Sequence, residues 1–514
     1  MSITKDKILN EFVEIRKRYY KETGSYDITR DYYLKHTKYG WRYRNFDLTF
    51  QSLKNQKPVK ATICNTCFTK IKRFIVSSIV PRAEVNRRFF NALLRYRLEN
   101  NAELILVPIK GVNNEVKFET EILQEYSKYF KYEFSFNKNL QILNLGLTAN
   151  NNPSLTTLQR KTHSEISYIL PCTRQKMEIT PRIDNEVNFI YTTGTVSMPI
   201  YKNNQAGYFN DIGNMLGALV VEVYNDKAFN VRNLRWINDC FVDLDKMYCF
   251  DKTMRVRPTA LVAGDLHLGG DEDANALKAT KEQIKYLKPK MLVVHDLASH
   301  NSINHFTRES MMSRVKFLQK TGLLTLEQEH QYIAKFILDF SKDIPDVEWK
   351  IVASNHNEWL KKYLDSPQSW YDIYNQVYNT QLKQNFFIND CDVFAAAIKY
   401  QLRKLNKNRK IKLEFLTRKD HLVVGGFELA YHGDKGIAGS KGTLATHELS
   451  ARRCVIGHSH TPKVGEVGYQ VGTNSKLELN YTSGSGNNWA HANCAVYGEL
   501  GQVQMILTLN GRWK

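Results

Sequence analysis

No run in this 514-residue chain approaches the roughly 20 consecutive apolar residues that cross a bilayer, and the opening MSITKDKILNEF holds no apolar leader core. Membrane insertion and secretion are therefore disfavoured, and an intracellular, cytoplasmic setting is expected. Cysteine is scarce: eight residues scattered at 64, 67, 172, 240, 249, 391, 454 and 494 are too sparse for a disulfide scaffold. The lone pair Cys64 and Cys67 has no second pair at zinc-ribbon spacing, so no local four-ligand zinc site is expected. Between residues 60 and 250 no helix opens on a GxGxxG or GxxxxGKS/T loop, which excludes the usual nucleotide cradle there. Acidic residues are also in deficit, 52 against 72 Lys and Arg. The resulting net charge of +20 favours a polyanionic partner such as nucleic acid.

What is present is a globular composition, with 42% hydrophobic and 12% aromatic residues and only 12 prolines. The length predicts two or three domains, and the expected class is a multi-domain α/β protein. Residues 1–57 read as a small helical unit, in which Ile8, Phe12, Ile15 and Tyr19 fall on one helix face. Lys38, Arg42 and Arg44, interleaved with Tyr39, Trp41 and Tyr43, precede the last of three short helices. This arrangement resembles a helix-turn-helix DNA-binding unit. An interaction or oligomerisation cap, with a homo-oligomer as its consequence, is the alternative. Residues 60–250 read as an α/β domain with no assignable chemistry. It begins with a β-α-β unit built from RFIVSSIV, a helix over 83–98, and AELILVPI.

The chemistry is concentrated in residues 255–514. ALVAGDLHLGG places Asp265 and His267 after an apolar run, and MLVVHDLASH places His295 and Asp296 after another. KIVASNHNEW, FELAYHGDKG and CVIGHSHTP then bring Asn355 with His356, His432, and His458 with His460. Functional groups in α/β sheets collect beyond the carboxyl ends of strands, so five strand ends can converge on one site. Imidazoles, carboxylates and one carboxamide form an N/O donor set suited to Mn, Fe, Zn or similar ions, enough for two that share a bridge.

The order DxH, D, NH, H, GHxH resembles that of the calcineurin-like metallophosphoesterases, over roughly half the chain. That resemblance implies a C-terminal four-layer α/β/β/α sandwich. It implies one metal held by Asp265, His267 and His460, a second held by Asn355, His432 and His458, and Asp296 between them. His356 would serve the leaving oxygen in a two-metal mechanism with a bridging hydroxide. The module resembles the nuclease branch, which includes double-strand-break repair nucleases and the manganese-dependent DNases some phages make early in infection. The expected function is thus a DNase with two divalent ions, Mn²⁺ first and Mg, Fe or Zn as alternatives.

Two departures from the family pattern stand out. His295 replaces the glycine that usually precedes the bridging aspartate, and Asn357 stands where an acid usually follows the histidine, with Glu358 next. The interval from Asp296 to Asn355 is long and predicts an insertion over the site that includes a helix at 325–342. His295, His300 and His305 are candidates for supporting the ligands or facing phosphate, although exposed loop histidines are the expected reading; Glu358 is a further supporting candidate, and Arg308 and Lys435 are candidates for clamping phosphate. A phosphatase or cyclic-nucleotide phosphodiesterase would keep the same ligands, and a non-catalytic DNA-binding protein would account for the charge alone.

Overall fold

The computed structural model describes residues 71–159, 165–182, 186–304, 311–389, 392–406, 411–451, 453–479 and 487–514, together with Ile15 and Arg18. The helical unit expected at 1–57, with Lys38, Arg42 and Arg44, lies outside the described residues, as do Cys64, Cys67, His305 and Arg308. The chain divides after Thr66 into two units. The second is a mixed α/β assembly of several sheets. No helix among the described residues is long and apolar enough to cross a membrane.

Strand β1 (Lys72–Ile79), helix α1 (Arg87–Asn100) and strand β2 (Ala102–Pro108) form the β-α-β unit read from the sequence, with the strands paired in parallel. The helix starts later than its apolar pattern suggests because the Asn86 side chain accepts from Phe89 N and caps it there. Strands β3 (Met177–Pro181) and β4 (Val187–Thr192) pair antiparallel, and β5 (Gly217–Val223) and β6 (Phe229–Arg235) complete a four-stranded sheet in the order β2-β1-β5-β6.

A six-stranded sheet positions the candidate site. Its parallel strands are β7 (Ala260–Ala263), β8 (Met291–Val294), β9 (Glu348–Ile351) and β10 (Leu413–Phe415), and β11 (His491–Tyr497) and β12 (Gln502–Thr508) join antiparallel beside β7. Helices α2 (Ala274–Leu287), α3 (Leu326–Lys342), α4 (Asn355–Asp365), α5 (Gln376–Asn389) and α6 (Val393–Leu405) accompany it. The two-residue period of the strands sorts its side chains between two cores. Leu261, Ala263, Leu292, Val294 and Trp349 pack on the helices, whereas Ala260, Val262, Val293, Cys494 and Val496 face the other sheets. Each large apolar side chain buried this way contributes about 1.5–3 kcal/mol.

That second core continues into an eight-stranded sheet containing Val455–Ile456, Tyr469–Gln470, Lys463–Val464, β3 and β4. Val464 pairs with Met177 there, so the sheet runs across the boundary drawn near residue 250. The four-stranded sheet attaches through side chains: Asn233 donates to Val503 O and accepts from Met505 N, and Asn230 donates to Leu507 O.

A buried ion network ties this face together. Arg232 donates to Glu222 at 2.7 Å and to Asp243 at 2.7 and 3.1 Å, while Arg73 reaches Glu222 and the Tyr96 hydroxyl reaches Asp243. Burial alone would raise the Glu222 pKa, but the two guanidinium groups hold it down at about 2. The carboxylate therefore contributes stability above its unfolded value near 4.5, and that contribution is lost as pH falls towards 2. Glu222→Gln, which leaves Arg232 under-compensated, is expected to cost about 3–5 kcal/mol in urea unfolding at pH 7. Its difference from the wild type should shrink below pH 4.5.

Candidate metal centre

Strands β7, β8 and β9 are parallel neighbours, so their carboxyl ends open on one edge. Asp265 and His267 follow β7, His295 and Asp296 follow β8, and Asn355 and His356 form the first turn of α4 after β9. Ser354 caps that helix by accepting from Asn357 N, which fixes where the turn begins. His432 and the His458/His460 pair arrive from short strands, Phe427–Glu428 and Val455–Ile456.

These groups converge. His460 Nε2 lies 3.1 Å from Asp265 Oδ2 and 2.9 Å from His267 Nε2. His432 Nε2 lies 3.1 Å from Asp296 Oδ2 and 3.0 Å from Asn355 Oδ1, and His267 Nε2 is 3.8 Å from Asp296 Oδ2. Potential ligand atoms fall into three sets: Asp265, His267 and His460; Asp296, His432 and His458; and His267, Asp296 and His356. Asp296 belongs to the last two, between the histidines of each side.

Three further observations fit a cation. The backbone is left-handed at His267 (φ 49°), Asp296 (φ 37°), His458 (φ 74°) and His460 (φ 59°), conformations that cost non-glycine residues energy and persist where the surroundings impose them. Asp265 Oδ1, Asp296 Oδ1, His356 Nδ1 and His460 Nδ1 are buried with no hydrogen-bond partner among the described residues. Such orphaned groups mark places where a ligand completes the shell. The Nε2 atoms of His267 and His460 also approach each other to 2.9 Å, close enough for one ion to meet both.

Electrostatics agree. Burial opposes the charge on Asp265 and Asp296, yet the imidazoles around them hold Asp265 at about 2 and Asp296 well below the usual range. His432 is the counter-charge: burial would lower its pKa, but Asp296 raises it to about 9. His267, His356 and His458 are pushed down by burial and stay neutral.

The supporting candidates separate into different roles. His295 and His300 are fully buried and not exposed on a loop, because the chain after Asp296 turns inward under the cluster; His295 Nδ1 lies 3.4 Å from His432 Nδ1. His300 lies beneath the cluster and donates from Nδ1 to the His356 carbonyl at 2.7 Å. Asn357 turns away from the cluster, donating to Val352 O and accepting from Ala298 N. Glu358 accepts from Arg418, and Lys435 lies 3.8 Å from the same carboxylate.

Sequence reasoning missed Arg418, whose other two nitrogens bond both oxygens of Asp434. This fork ties the helix carrying His356 to the turn carrying His432, a pairing across 60 residues that no local pattern signals. It missed Gly457 too, although the residue is visible in the GHSH turn: a Cβ there would stand 2.5 Å from Asp265 Oδ1 and 2.9 Å from the His295 ring. Beside the same turn of α4 opens a groove of about 680 Å³ lined by Ser354, Asn357, Lys399, Arg403, Thr417 and Arg418.

Two outcomes are expected. A metal ion takes neutral imidazole, so Mn²⁺ uptake should displace the proton from His432, and calorimetry in buffers of different ionisation enthalpy should detect about one proton released at pH 7. Affinity should then rise by about tenfold per pH unit and level off above pH 9. Gly457→Ala, by crowding Asp265, should weaken Mn²⁺ binding by about 10- to 100-fold in the same experiment.

No family model matches the chain. It is 26% identical over 480 aligned residues to Protein A1 of Escherichia phage T5, an alignment that covers 86% of this chain and 83% of that protein.

Proposed function

We propose that this chain is a metal-dependent phosphoesterase of the calcineurin-like type, acting as a nuclease on DNA. The observation that carries the reading is the placement of Asp296 between two sets of N/O donors, as a carboxylate shared by two divalent ions requires. The layering supports it as well, with helices on one face of the six-stranded sheet and other strands on the opposite face, in keeping with a four-layer sandwich.

On this reading Asp265, His267 and His460 hold one ion and Asn355, His432 and His458 the other, with Asp296 between them. The donor set suits Mn²⁺, and Mg, Fe or Zn less specifically. When bound, such ions supply Lewis-acid stabilisation and an activated water at neutral pH. His356 serves the leaving oxygen. Its ring lies 3.9 Å, centroid to centroid, from that of Trp359, which fixes its plane, and its Nδ1 has no partner among the described residues. Burial keeps the ring neutral in the free protein, and an anionic phosphate beside it would draw a proton onto it.

Charge favours DNA over a small ester. The chain carries +20, and Lys399 and Arg403, one helical turn apart, extend positive charge into the groove beside α4. The relationship to a phage T5 protein is in keeping with a phage enzyme acting in the host cytoplasm.

The test is cleavage of plasmid and linear DNA in EDTA, Mg²⁺ and Mn²⁺, with Asp296→Ala beside the wild type. Metal-dependent cleavage should fall in the variant by at least about 10³-fold, since the shared ligand is lost. Circular substrate separates endonucleolytic from exonucleolytic action. Hydrolysis of a chromogenic ester with intact DNA would point to a small-substrate phosphoesterase, and DNA binding without turnover would overturn catalysis.

A further inference from the structure

The long segment between Asp296 and Asn355 does more than fill space beside the site. Its helix α3 opens with a capping box at Thr325 and buries Ile333, Ala334 and Ile337 among the other helices. Two adjacent residues on it grip the loop that follows Asp296. Glu329 accepts from Asn301 N, Ser302 N and Ser302 Oγ, and the His330 ring meets His300 with the two Nε2 atoms 3.3 Å apart.

The direction of the hydrogen bonds through His300 and His330 follows from chemistry. The His356 carbonyl can only accept, so His300 Nδ1 carries the hydrogen of the 2.7 Å bond. A neutral His300 then has a bare Nε2, which must accept from His330 Nε2. His330 Nδ1 is bare in turn and accepts from the Tyr378 hydroxyl at 3.0 Å. Tyr378 stands on α5, and Gln401 on α6 approaches its oxygen at 3.5 Å.

All of these groups are buried, and Phe394 packs against both imidazoles. A buried polar group left without its partner costs about 1–3 kcal/mol, so the chain of donors has one low-energy arrangement. His300 also has a left-handed backbone, φ 51°, which holds its ring under the first turn of α4.

We propose that His330 and Tyr378 are positioning residues for His356: acting through His300, they hold the first turn of α4 at a set distance from the Asp296 loop. The proposal rests on the reading of His356 as the group that serves the leaving oxygen. It assigns α3, within the interval after Asp296, and α5 a part in catalysis, although neither supplies a ligand.

The test compares full-length wild type with His330→Phe, His330→Gln and Tyr378→Phe. Phenylalanine keeps the bulk at 330 and removes both bonds, whereas the glutamine amide can donate to His300 and accept from Tyr378. Hydrolysis of bis(p-nitrophenyl) phosphate in Mn²⁺ should show kcat reduced by about 10- to 100-fold in His330→Phe and Tyr378→Phe, with KM and Mn²⁺ affinity unchanged. His330→Gln should recover most of the loss, a rescue that mere packing would not produce. Nitrogen-15 ring shifts of histidine-labelled protein, assigned through His300→Asn, should report His300 protonated on Nδ1.

Wild-type kcat in His330→Phe, equal loss in His330→Gln, or a His300 hydrogen on Nε2 would each overturn the proposal. A wild type that hydrolyses neither this ester nor DNA brings down the phosphoesterase reading instead, and the ring tautomers then decide the chain by themselves.

Discussion

Two buried carboxylates, Asp265 and Asp296, govern the rest of this site. Leaving two negative charges together in a low-dielectric interior is costly, and the protein surrounds them with imidazoles from five separate strand ends. One of these, His432, carries the proton that balances them, while burial keeps His267, His356 and His458 neutral. The left-handed backbone at four of these residues, the missing side chain at Gly457 and the Arg418 fork all serve that same gathering.

The sheet makes the gathering feasible. Three parallel strands deliver their carboxyl ends to one edge, and the double core on either side of the six-stranded sheet keeps those ends from moving independently. Helix α3 then supports the loop from Asp296 to Ser302 through Glu329 and His330, and Tyr378 of α5 backs His330. Rigidity of this kind suits a site whose donors must sit within tenths of an ångström of one geometry.

Much of this could be read from the chain. Apolar runs ending in DLH, HD, NH, HGD and GHSH marked the residues that the structure brings together, because strand patterning and the residues beyond a strand end are both local in sequence. The β-α-β unit at 72–108 was legible for the same reason. The roles of His300 and Glu358 were not. His300 bonds a backbone carbonyl 56 residues away, and Glu358 is held by an arginine 60 residues on, so neither partnership leaves a trace in spacing.

The sequence by itself determined the chemistry on offer: the number and kind of groups that could hold a metal ion, their position after strands, and the positive charge of the chain. Only the tertiary structure decided how they are used. It set Asp296 between two groups of donors, joined the middle and C-terminal segments in one sheet, and turned the interval after Asp296 into a support for His356. The physical reason is that periodicity and capping act over a few residues, whereas charge compensation and hydrogen-bond direction in a buried site depend on groups brought together from across the chain.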